Sequence, residues 1–127
     1  MKILVCGGRK YGYKLENSRW IKDTDVWNKG IDLIKTYNPT TIISGKAKGG
    51  DELGEDAAKV LGITVEGYPA DWDKHGKAAG HIRNQQMLDE GKPDLVIAFS
   101  GGKGTENMIA RSKKAGVEVV EVEEYNE

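Results

Sequence analysis

The chain has 127 residues, enough for one compact domain and too few for two, and its 38% apolar and 31% charged residues suit a single buried core. Nineteen basic residues against twenty acidic ones leave a net charge of −1, which argues against nucleic acid as a partner, since that grip needs a clustered cationic surplus. No apolar run approaches the roughly 18 residues of a membrane span, no signal peptide precedes the first strand-like run, and the single cysteine excludes an intramolecular disulfide, so a cytoplasmic, non-membrane protein is expected.

Taken in order, "KILVC" (2–6) reads as the first strand, a nearly continuous apolar run of the kind that parallel strands covered on both faces require. The stretch 12–22 has no clear period and reads as a loop with a helical turn. Trp27, Ile31 and Ile34 then share one helical face, widened by Val26, Leu33 and Tyr37. "TTIIS" (40–44) is the second strand. "DELGEDAAKVLG" follows as a helix, with Asp51 as its N-cap in preference to a catalytic carboxylate and Gly62 as its stop. "ITVEGY" (63–68) is the third strand, and Ile82 to Glu90 the next helix, closed by Gly91 and Pro93. "DLVIAF" (94–99) is the fourth strand, 105–115 the last helix, and "VEVVEV" (117–122) an edge strand whose glutamates discourage edge pairing. No repeat or linker divides the chain, so 1–127 is read as one domain.

Strand–helix alternation with short connections implies right-handed crossovers and a parallel sheet between two helical layers. The expected fold is α/β: a Rossmann-like three-layer sandwich with five mainly parallel strands in the order 3-2-1-4-5. In such a sheet the ligand crevice lies at the carboxyl ends of the strands, where the order reverses. Three glycine-rich stretches fall on that edge: "CGGR" after the first strand, "SGKAKGGD" after the second and "SGGKGT" after the fourth. Glycine admits close approach of a ligand to the backbone, and a helix start beyond it offers unpaired N–H groups to an anion. Gly7, Gly8, Arg9, Gly45, Lys46, Gly49, Gly50, Ser100, Gly101, Gly102, Lys103, Gly104 and Thr105 are therefore candidate phosphate-binding residues, with Lys48 nearby. Thr105 either caps the last helix or donates its hydroxyl to a phosphate oxygen. Each glycine pair alone is equally well a plain turn; three on one edge favour a cradle. The dinucleotide and P-loop fingerprints both fail, since Asn107 stands at the third glycine of the former and the lysines of "GKAKGGD" precede its glycine pair.

"VCGGRKY", "SGKAKGGD", "YPADWDKHGKAAGHIRNQQML", "PDLVIAFSGGKGT" and "AGVEVVEV" together resemble the SLOG superfamily of Smf/DprA and LOG proteins, and within it the short YspA-type, cpYpsA-related branch. The resemblance spans Lys2 to about Val122. It implies a Rossmann-like domain that binds a nucleotide or nucleotide-derived molecule, with the phosphate at "GGxGT" and no separate cofactor. Relatives pair through helices, so it also implies a homodimer as one arrangement, with the first helix as its surface if that helix is left uncovered. The LOG enzymes hydrolyse the N-glycosidic bond of nucleoside monophosphates and carry "PGGxGTxxE". Gly101, Gly102, Gly104 and Thr105 match that signature, but Ser100 replaces the proline and Met108 the glutamate. A sensor, carrier or sequestering module is therefore preferred, with a LOG-like phosphoribohydrolase as the alternative.

Arg83 is the leading candidate beyond the glycines, because a guanidinium fork matches phosphate geometry, and "RNQQM" keeps the LOG-like spacing from Arg83 to Met87. Asn84 either orients Arg83 or bonds a ribose hydroxyl. Trp72 stacks on a base or packs over the core, and Asp71 is a ribose contact or, with Arg83, a catalytic candidate. Tyr11 and Trp20 have the same two options as Trp72. Cys6 reads as a small core residue. His75 and His81 have no partner at a ligand spacing, so no metal is expected.

Overall fold

The computed structural model describes residues 1–123. Its main sheet has five parallel strands, β1 (Lys2–Cys6), β4 (Thr41–Ser44), β5 (Thr64–Gly67), β6 (Leu95–Phe99) and β7 (Glu118–Val122). They lie in the spatial order β5-β4-β1-β6-β7, which is the expected 3-2-1-4-5. The three central strands, β4, β1 and β6, are the continuous apolar runs, and almost every residue in them is buried. Alternation along β1 sends Ile3 and Val5 to one face and Leu4 and Cys6 to the other.

Helices α1 (Thr24–Thr36) and α2 (Gly50–Leu61) cover the first face, where Trp27, Ile34, Leu53 and Ala57 join Ile3, Val5, Ile97 and Phe99. Trp27 and Ile34 are thus buried against the protein's own sheet and α2, which takes up the middle of the α1 stripe. Helices α4 (Ala79–Gln86) and α5 (Lys103–Lys114) cover the second face, where Met87, Leu88 and Met108 join Leu4, Cys6 and Val96. The short helix α3 (Trp72–His75) and a 3-10 turn at Gly76–Ala78 lead into α4, which runs on into a π-turn at Met87–Gly91.

Four local expectations are corrected. The stretch 12–22 is not a loop with a helical turn but a hairpin of β2 (Tyr13–Glu16) and β3 (Arg19–Lys22). Its two-residue reversal, Asn17–Ser18, has φ of 52° and 63°, the left-handed pair such reversals demand. Tyr13 anchors it: the hydroxyl donates to Glu52 Oε1 at 2.7 Å and the ring meets Trp27 edge-on at 5.7 Å. Asp51 does not cap α2; Gly49 does, and Asp51 lies inside the first turn. Thr105 does not cap the last helix, which starts two residues earlier with Gly102 as its N-cap. Arg83 and Asn84 do not open a helix but sit within α4, which begins at Ala79.

Candidate functional site

A cleft of about 710 Å3 opens at the carboxyl ends of the parallel strands. Its rim comes from the loops after β1, β4 and β6, as the glycine pattern implies, and these loops lock onto one another. Gly8 N–H donates to Ser100 O at 3.1 Å, joining the first loop to the fourth-strand loop. Gly50 N–H donates to Gly8 O at 3.1 Å, joining it to the second. Gly50 packs so tightly on Gly7 that a Cβ there would overlap the Gly7 backbone, and a Cβ on Gly49, at φ 80°, would overlap Gly8 O. These N–H groups therefore hold the rim together. Beside the cleft, the first turn of α5 adds the N–H groups of Gly104 and Thr105, which have no intrahelical acceptor. No side chain caps that turn. A Cβ on Gly102 or Gly104 would meet nothing within 4 Å, so an incoming group has free access to it.

Arg83 lines the opposite wall and is held on two sides. Its Nη1 donates to Gly45 O, and its Nε donates to Asn84 Oδ1 at 3.1 Å. Asn84, 5% exposed, in turn donates Nδ2–H to Gly104 O at 3.2 Å and to Asn107 Oδ1 at 3.1 Å. One buried amide thus fixes Arg83 relative to the start of α5. Lys46 lines the cleft too, with its Nζ paired to Glu55 at 3.1 Å.

Asp51, freed from the expected cap, is part of the wall of the cleft. It lines the same cleft at 6% exposure, accepts Ala47 N–H at 3.2 Å, and stands with Arg83 so close over Gly45 that a Cβ there would overlap both side chains. Burial pushes its pKa up to about 6, against the opposing pull of Arg83 and of the Ala47 hydrogen bond. Cys6 is buried at the cleft floor, and burial raises its thiol pKa well above the usual range, so it is a thiol and not a nucleophilic thiolate. Met108, at the position of the LOG glutamate, is 1% exposed and packs with Leu4, Cys6 and Met87. The floor there is apolar.

Of the residues singled out by sequence, Gly7, Gly8, Arg9, Gly45, Lys46, Trp72, Arg83, Asn84, Gly102, Gly104 and Thr105 line the cleft. Gly49 and Gly50 stand behind its wall, packed on Gly8 and Gly7. Ser100 and Gly101 border a shallower depression beside β7, and Lys103 opens α5 outside the lining. Asp71 caps α3 by accepting Lys74 N–H at 3.0 Å, away from the lining, while Trp72 is 51% exposed beside Gly80. Tyr11 stacks on Phe99 at 4.8 Å, and Trp20 is 49% exposed under Lys10. Sequence reasoning missed Lys77, His81 and Ala47 in the cleft wall, and gave Asp51 a capping role. Lys77 and His81 sit in a segment without apolar period, so only the turn at Gly76 could have pointed inward. Among the described residues no group of three or more His, Cys, Asp or Glu side chains is placed to hold a metal ion, and no helix is long and apolar enough to cross a membrane.

A parallel sheet in this order, with an uncapped helix start and two arginines at its switch-point cleft, defines a Rossmann-like α/β protein. The chain belongs to the YspA, cpYpsA-related SLOG family, whose model matches residues 1–75. It is also similar to the Gene 61 protein of Mycobacterium phage D29, with 32% identity over 127 residues covering 94% of each chain.

Proposed function

We propose that the protein binds a nucleotide or nucleotide-derived ligand, as a sensor, carrier or sequestering module, with a phosphate at the start of α5. One observation carries this reading. The first turn of α5 has no side-chain cap, has open space at Gly102 and Gly104, and faces a cleft lined by Arg9 and Arg83. An anion there completes orphan N–H groups and meets the positive end of the helix dipole. Family membership supports a nucleotide-related ligand. The test is calorimetric titration with nucleoside monophosphates and the matching nucleosides. Gly102→Val should abolish binding of the phosphorylated form while the circular dichroism spectrum and unfolding midpoint stay unchanged, because the side chain enters empty space. Undiminished affinity in this variant would sink the assignment.

A hydrolase reading draws on Asp51, a carboxylate in the cleft wall that can supply the negative charge an oxocarbenium-like transition state needs where Met108 cannot. Free base released from a nucleoside monophosphate, and lost in Asp51→Asn, would establish it over the binding-only reading.

A further inference from the structure

A second cleft, of about 440 Å3, opens on the other side of Gly8, Arg9 and Gly102, and these three residues line both clefts. The remaining walls come from the chain between Lys10 and Lys14, from Asp23 and Val26 at the start of α1, and from Gly101. The two clefts therefore meet at the N-cap of α5. Open space at Gly102 leaves that junction clear.

The charged side chains of the second cleft are mostly of one sign. Arg9, Lys10 and Lys14 supply three cations. Asp23 is its single carboxylate, and it already accepts Val26 N–H as the cap of α1. Among the described residues no carboxylate pairs with Arg9, Lys10 or Lys14, whereas four other lysines do find acidic partners. Lys10 rests instead over the Trp20 ring at 4.6 Å. The walls are set in place: Tyr11 is stacked on Phe99, and Tyr13 is held by Glu52 and Trp27. A base or a sugar arm would call for several side-chain acceptors, and the cleft offers few: the Asp23 carboxylate, which also caps α1, and the hydroxyls of Tyr11 and Tyr13, the latter bonded to Glu52. Phosphate oxygens need donors alone, and donors are what the cleft offers.

We infer that the ligand is a nucleoside polyphosphate: the phosphate next to the nucleoside sits at the start of α5, and the phosphates beyond it pass Arg9 into the second cleft. This rests on the nucleotide reading above and names the class of ligand within it. The test titrates the mono-, di- and triphosphates of each common nucleoside, without metal ions, at physiological salt. For the base that binds, the triphosphate should bind about tenfold more tightly than the monophosphate. In Lys10→Ala/Lys14→Ala that gain should vanish, with monophosphate affinity held within about twofold. Lys48→Ala, in the main cleft only, should change both affinities by the same factor and leave their ratio intact. Equal affinity along the phosphate series, or a gain that survives the double substitution, overturns the inference while the nucleotide reading stands. Failure of every nucleotide to bind overturns both.

Discussion

At the scale of single residues the cleft places a buried carboxylate beside a fixed guanidinium. The Asp51 pKa, raised from 3.8 to about 6, means that the folded chain holds this proton more tightly than the unfolded one. The sign follows directly: its contribution to stability is complete below pH about 4 and is lost as pH rises through about 6. The shift corresponds to about 2 kcal/mol once water in the open cleft is allowed for. Asp51→Asn should remove that loss, so urea unfolding at pH 4 should find the two proteins alike and at pH 7 the variant more stable by about this amount. A constant difference across that range would contradict the assignment. Arg83→Ala should weaken a phosphorylated ligand by roughly 1.5–3 kcal/mol, the scale of a charge-assisted bond, and leave the unphosphorylated nucleoside nearly untouched in the same titration. The place of Arg83 in the cleft wall was legible in the sequence, because a guanidinium fork close to glycine-rich strand ends points to their shared edge. The position of Asp51 was not, because Asp after Gly-Gly is also the ordinary pattern of a cap, and only burial distinguishes the two.

Between elements the decisive contact is the one that ties α4 to α5. Asn84 spans Arg83, Gly104 and Asn107, while Arg111 reaches Asn107 at 2.9 Å and Gln85 at 2.8 Å. Asn84→Ala would leave the Arg83 Nε–H without its acceptor and take a donor from Gly104 O and from Asn107 Oδ1, in a nearly dry position. It should cost about 1–3 kcal/mol of stability by thermal or urea unfolding, and should weaken phosphorylated ligands as well. A variant that loses stability yet binds as before would show that the amide serves packing alone. Elements with a strong apolar period were read correctly in type: β1, β4 and β6 as buried strands, α1 as an amphipathic helix. The hairpin escaped notice because Asn17–Ser18 lacks the glycine that marks most two-residue reversals, and because Leu15 and Trp20 are exposed, so its strands show no inward alternation. The helix starts were displaced because Gly49 and Gly102 stand where capping side chains are usually sought.

For the whole molecule the glycines divide into two populations that sequence alone could not separate. Those at 7, 8, 49, 50 and 101 let three loops interpenetrate, whereas those at 102 and 104 leave space. Gly50→Ala should destabilise the protein by about 1–3 kcal/mol, because the added methyl meets backbone that cannot give way. Gly104→Ala should instead raise helix stability by roughly 0.5–1 kcal/mol and still impair binding, with unfolding curves and titration measured on the same samples. Equal stability losses would mean that the two populations are one. The sheet order was readable because alternation, glycine placement and crossover handedness agree on it. Finally, β1 lies at the centre of the sheet with Ile3 opposite Leu95, although some ninety residues of chain separate the two. During synthesis the first strand must therefore wait, half-paired and apolar, until nearly the last one leaves the ribosome. The rim of the cleft consequently has no complete precursor, since its first and third loops meet only when that late strand docks.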